Sequence, residues 1–134
     1  MRTQPTTSIP EERLGKHPTF RQFMELAEIE YLLRVNVLLH GEGLSMQQYL
    51  LMRSIRAHEV HTMTRIATKV GHSTAAATGM IDHLEDRMLV KRTHDREDRR
   101  RVLVSLTKKG ISLIEKLEAR FDSAAYQMEV ELQA

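Results

Sequence analysis

The residues best able to do chemistry in this chain are cations, and they are crowded. Residues 87–109 hold 9 Lys or Arg against 3 Asp or Glu, a balance of +6. Residues 1–86 balance at −1 and residues 110–134 at −3, so the formal charge of the 134-residue chain is only +2. A basic block between near-neutral flanks is a footprint for a polyanion, because attraction to phosphates depends on local charge density. The competing reading is a solvated charged loop. Arg96, Arg99, Arg100 and Arg101 lie at the centre of the block, with Asp98 among them.

Other chemistries are poorly supplied. His58-Glu59-Val60-His61 is one residue short of a zinc-binding HExxH pattern, so its histidines do not share a helix face at i, i+4. A solvated connector is expected there, and neither a metal nor a cofactor. The chain has no cysteine, which excludes disulfides, thiolate zinc sites and cysteine nucleophiles. A glycine-rich phosphate loop, a nucleophile elbow and a paired-carboxylate arrangement are missing too, so an enzyme is not expected. Aromatic residues are 4%, too few for a platform that stacks single-stranded bases. With 41% hydrophobic and 28% charged residues the chain reads as globular. No apolar run approaches the roughly 20 residues that span a bilayer, and the N-terminus lacks the apolar core of a secretory signal. A cytoplasmic protein without a membrane partner is expected.

These residues must be positioned by helices. Residues 1–18 contain Pro5, Pro10 and Pro18 and little that is apolar, so a flexible arm is expected. Phe20, Phe23, Met24, Ala27, Tyr31, Val35, Leu38 and Leu39 recur at spacings of three and four, which predicts one long helix over 19–43. Gly41-Glu42-Gly43 ends it. Ser45 with Gln48 forms a capping box for a helix running to about Ala57. Thr62 caps a short helix, Met63 to Val70, with Ile66, Ala67 and Val70 inward. Gly71-His72 breaks the chain, and Ser73 caps a helix from Thr74 to about Arg87 with Ala77, Met80, Ile81 and Leu84 buried. Helix, short glycine turn, helix is a helix-turn-helix arrangement. Leu89 to Thr93 and Arg101 to Leu106 are β-branched, strand-like runs around a charged hairpin tip. Thr107 caps a last helix on which Ile111, Ile114, Leu117, Phe121, Ala124, Met128 and Leu132 keep helical spacing.

Two segments carry a family resemblance: Leu84-Glu-Asp-Arg-Met-Leu-Val-Lys-Arg, and Asp95-Arg-Glu-Asp-Arg-Arg-Arg-Val-Leu-Val-Ser-Leu-Thr-Lys-Lys-Gly. They resemble the MarR family of bacterial winged helix-turn-helix regulators over about Leu44 to Gly110. The implied fold is mainly α with a small antiparallel β wing, with a winged helix-turn-helix over 44–107 and long N- and C-terminal dimerisation helices over 19–43 and 108–134. The resemblance implies a homodimer on palindromic double-stranded DNA, a repressor or activator, and release by a small-molecule effector. The family usually adds one more helix after the Leu-Thr-x-x-Gly helix, and that helix looks short or absent here. Phe20, Phe23, Phe121, Met128 and Leu132 would then supply most of the dimer contact, unless they fill the subunit's own core.

The resemblance places Arg100 in the DNA minor groove, braced by Asp98. A narrow minor groove attracts a guanidinium, and a carboxylate two residues away on a strand would lie on the same face. Arg96, Arg99 and Arg101 would reach phosphates. Ser73, Thr74, Ala75, Ala76, Thr78 and Gly79 would form the exposed start of the recognition helix, where hydroxyls and methyls can touch base edges. Gly79 and His83 stand where the family often has basic residues, so a bidentate guanine contact is not available and readout would lean on the wing and on DNA shape. Met24, Met46, Met52 and Met63 could line an effector cleft, although methionine is more often core filler. The same uncharged helix motivates an alternative, a winged-helix protein-interaction module without sequence-specific DNA binding.

Overall fold

The computed structural model describes residues 19–57, 61–71 and 73–133. The proposed arm of residues 1–18, the 58–60 connector and His72 lie outside the described residues. Among the described residues, five helices and a three-stranded sheet follow in the order α1 (Phe20–Gly41), α2 (Met46–Ala57), β1 (His61–Thr62), α3 (Met63–Val70), α4 (Thr74–Asp86), β2 (Val90–His94), β3 (Val102–Leu106) and α5 (Lys108–Gln133).

Local capping sets most of these boundaries. The Thr19 side chain accepts from the Gln22 backbone and the Gln22 side chain accepts from the Thr19 backbone, a complete capping box on α1. Ser45 and Gln48 do the same for α2, at 3.1 and 3.0 Å. Thr62 caps α3 and Ser73 caps α4. Thr107 Oγ1 accepts from Gly110 N at the start of α5. The ends are equally specific. At α1, Leu44 N donates to Leu39 O and Gly43 N to His40 O, with Gly43 left-handed at φ +69°. This is the Schellman arrangement. Helix α4 ends the same way, with Leu89 N donating to Leu84 O and Met88 N to Glu85 O. There a methionine, Met88, takes the left-handed position at φ +61°, where glycine would be free of strain. The buried Leu89 that follows it anchors the turn in the core.

The core lies where α1, α2, α4, α5 and the sheet meet. Leu39, Leu51, Met52, Ile55, Ile81, Leu84, Leu89, Ile114 and Leu117 are fully buried. The Tyr49 and Phe121 rings meet edge to face, 5.3 Å apart at 88°. Arg34 on α1 bridges Glu30 at 3.2 Å and Glu131 on α5 at 2.9 Å. Among the described residues, no helix is long and apolar enough to cross a membrane.

The sheet differs from expectation. Its order is β1-β3-β2, all antiparallel, so the wing gains a third strand. His61 and Thr62 pair with Val104 and Leu103, and His61 is buried rather than part of a solvated connector. Two residues carry no periodicity, and they become a strand only because β3 offers an unpaired edge. The helical stripes also need correction. Phe20, Met24, Ile111 and Leu132 are exposed, while Phe121 fills the subunit's own core and Met128 is buried further along α5. Helix α1 is apolar on both faces, so its spacing alone could not say which side is inward. Val70 carries no described side-chain environment.

One backbone approach fixes α5 to the end of α4. A Cβ on Gly110 would lie 2.1 Å from the Leu89 carbonyl oxygen, far inside contact distance. Gly79, in contrast, faces open space within α4. Gly110→Ala is therefore expected to lower unfolding free energy by about 3 kcal/mol or more through overpacking. Gly79→Ala should raise it by about 0.5–1 kcal/mol by removing unfolded-state freedom. Denaturant titration of the two variants checks both signs.

Candidate nucleic-acid interface

Two exposed features lie on either side of β2. The first is the start of α4. Ser73, Thr74, Ala75, Ala76 and Gly79 are exposed, and Thr78 is half-buried. Their hydroxyls have local work: Ser73 Oγ accepts from Ala76 N at 3.2 Å, and Thr78 Oγ1 donates to Thr74 O at 2.7 Å. The Ala75 and Ala76 methyls and Gly79 are exposed beside them. The second feature is the hairpin tip between β2 and β3. Arg96, Arg99, Arg100 and Arg101 are all exposed there, the Arg100 side chain by 93%.

Asp98 does hold Arg100, by a different route from strand alternation. Residues 95–101 form turns, closed by Asp95 N donating to Arg101 O and Arg101 N donating to Asp98 O, both at 3.0 Å. Asp98 Oδ1 accepts from the Arg100 backbone N at 3.1 Å and from its Nε at 3.3 Å. The carboxylate thus fixes the backbone and the base of the guanidinium together, as short acidic side chains do in turns. Asp95 repeats the device on Glu97 N. His94 Nδ1 lies 3.0 Å from the Arg99 carbonyl.

Three residues that sequence spacing did not single out position these features. Arg92 on β2 pairs with Asp82 and Glu85 of α4. Arg87, at the α4 C-cap, donates to the Glu42 and Gly43 carbonyls at 2.8 and 2.9 Å. Glu42 in turn meets Lys116 of α5 at 2.6 Å and Arg120 at 3.8 Å. The hydrogen bond from Lys116 holds the Glu42 carboxyl below its usual range, opposed by partial burial and assisted by the charges of Lys116, Arg120 and Arg87. Only the density of Arg and Glu hinted at such contacts, because their partners are distant in sequence.

The four methionines do not form one cleft. Met52 is wholly inside the core, Met24 is exposed on α1, and Met46 and Met63 pack half-buried against the core. Inward faces of separate helices and a shared pocket look alike in sequence. An open apolar groove of about 440 Å³ lies elsewhere, between α1 and α5, lined by Ala27, Tyr31, Ala125, Met128, Glu129 and Leu132. Among the described residues, no group of three His, Cys, Asp or Glu could hold a metal. His58 and Glu59 lie outside them.

A helix-turn-helix flanked by a β hairpin with an arginine tip defines a winged helix-turn-helix protein. The MarR family model matches residues 44–102. The uncharacterized HTH-type transcriptional regulator YhbI of Bacillus subtilis (strain 168) is 30% identical over 106 residues, which are 77% of this chain and 69% of YhbI. The HTH-type transcriptional repressor MdtR of the same organism is 33% identical over 69 residues, 52% of this chain and 44% of MdtR. The uncharacterized HTH-type regulator YfiV, also from B. subtilis, is 41% identical over 64 residues, and the match spans only 40% of its length. Solved structures share the fold. A mutant of S. aureus MepR bound to oligodeoxyribonucleotide superposes with a TM-score of 0.77 at 22% identity, over 84% of this chain and 83% of that one. A mutant of E. coli MarR complexed with operator DNA gives 0.66 at 22% identity, over 80% and 76%. The chain belongs to the MarR family. It is a transcriptional regulator of the MarR type.

Glu42 gives a pH prediction. Its folded pKa is lowered, so its contribution to stability is present above the ordinary carboxylate pKa and is lost as pH falls through the folded value. Glu42→Gln should be less stable than wild type near about pH 7, with the gap closing towards about pH 3. Urea unfolding at the two pH values measures the gap, and a gap independent of pH would refute the linkage.

Proposed function

We propose that this protein binds palindromic double-stranded DNA as a homodimer, with α4 entering the major groove and the hairpin tip reaching the adjacent minor groove. The observation that carries the reading is Arg100: a guanidinium exposed by 93% at the tip, with its backbone and Nε pinned by Asp98. A pre-oriented guanidinium loses little freedom on entering a narrow groove of negative potential. Arg96, Arg99 and Arg101 flank it as phosphate contacts, and Ser73, Thr74, Ala75, Ala76, Thr78 and Gly79 form the face presented to bases. That face has no side chain able to make a bidentate guanine contact, so specificity comes largely from the wing and from DNA shape. The DNA-bound relatives of the same fold support the assignment.

The homodimer is supported by a face that the subunit leaves uncovered. Ile29, Leu33 and Val37 recur every four residues along the outer side of α1, with Leu32 beside them, and Val37 is 70% exposed. Tyr126, Val130 and Leu132 are exposed on α5, where Leu132 also lines the α1–α5 groove. A second copy covers this apolar surface, which otherwise would face water. The segments 19–43 and 108–134 thus act as dimerisation helices around the 44–107 reading head. The expected location is the cytoplasm, where the DNA partner lies.

The protein-interaction alternative is favoured by one observation, the small uncharged face of Ala75, Ala76 and Gly79. Selection of bound duplexes from a random library decides between the two readings. A palindromic consensus with half-sites about one helical turn apart establishes DNA binding and dimer symmetry together, whereas recovery of no duplex refutes the proposal. On the selected duplex, Arg100→Ala should cost about 1–3 kcal/mol of binding and flatten the log–log salt slope by about 0.9. Leu33→Glu should shift sedimentation towards the monomer and weaken binding at the same time.

A further inference from the structure

The recognition helix carries acids on its wing side. Asp82 is exposed and Glu85 half-buried, and carboxylates there would repel the phosphates that α4 must approach. Arg92, at the centre of β2, lies against both. Its Nη1 donates to Glu85 Oε1 at 3.0 Å and its backbone N donates to Glu85 Oε2 at 3.1 Å. Its Nη2 donates to Asp82 Oδ1 and, at 3.4 Å, to the Thr78 carbonyl. One residue therefore meets positions 78, 82 and 85, a single face of α4 at i, i+4 and i+7. The Arg92 side chain is only 25% exposed, so the contact is screened less by salt than a surface pair would be.

We propose that Arg92 is a positioning residue for DNA recognition, fixing α4 to the root of the wing and masking Asp82 and Glu85 from the phosphates. The proposal rests on the DNA reading above. Helix and hairpin must meet neighbouring grooves at one angle, and a planar fork bonded to one helix face and rooted in a wing strand sets that angle. Among the described residues, the ion pairs that join α4 to β2 are those of Arg92 with Asp82 and Glu85.

The test uses the full chain and the duplex selected by wild type. Arg92→Ala should weaken binding by about tenfold, a difference of about 1.4 kcal/mol. Adding Asp82→Asn and Glu85→Gln should restore part of that loss, because no charge is left to mask. Arg100→Ala should cost much less in the Arg92→Ala background than in wild type, a coupling that general destabilisation does not produce. Thermal melts run in parallel, and if Arg92→Ala fails to fold, Arg92→Lys takes its place, keeping the charge but losing the fork. Unchanged affinity on losing Arg92 would overturn the inference. So would a loss that adds in full to that of Arg100→Ala and is not relieved by neutralising the two acids. If wild type selects no duplex, the DNA reading fails instead.

Discussion

The backbones of Leu89 and Gly110 approach more closely than any side chain between them would permit. The rest of the molecule is organised around that contact. The Leu89 carbonyl accepts from Thr107 N at 3.1 Å, the Met88 carbonyl from Thr107 Oγ1 at 2.6 Å, and the Arg87 carbonyl from Lys109 Nζ at 3.1 Å. The last carbonyls of α4 are taken by the turn at 87–89, and the start of α5 bonds the carbonyls of that turn. Arg87 then reaches from the same place to the carbonyls that end α1. One helix terminus becomes the joint of α1, α4, the wing and α5. The long helices α1 and α5 are thus tied to the end of α4 by hydrogen bonds.

The basic block divides in the folded chain into two groups of cations. Arg87, Arg92 and Lys109 bond inward, to carbonyls or to acids of α4. Lys91, Arg96, Arg99, Arg100, Arg101 and Lys108 are exposed. Asp95 and Asp98 serve as acceptors that shape the turn, so their charge is partly committed to local amides. The segment with the largest positive balance is also the one in which charge performs most structural tasks.

What could be read from residues alone follows from the range of each interaction. Ser45, Thr62, Ser73 and Thr107 were legible as caps because their partners lie three residues away. The two wing strands were legible from β-branched runs. Strand β1 was not, because its two residues owe their conformation to β3. The Asp98–Arg100 pair was anticipated, but a turn and not a strand makes it. The outer stripe of α1 was hidden by apolar residues on both of its faces. Arg92 and Glu42 escaped notice because their partners come from other elements, and spacing says nothing about those. Phe121 was ambiguous between core and interface until its burial placed it in the core, while Met128 is buried and also lines the α1–α5 groove.

Among the described residues the sheet ends in β1 on one side and β2 on the other, and neither is a good template for another chain. On one side β1 is only two residues long. On the other, β2 displays Lys91 and His94 along its five residues, and strands bearing charge at a free margin resist accretion of foreign strands. The projecting hairpin can therefore stand out from the body, available to a ligand, without becoming a seed for polymerisation.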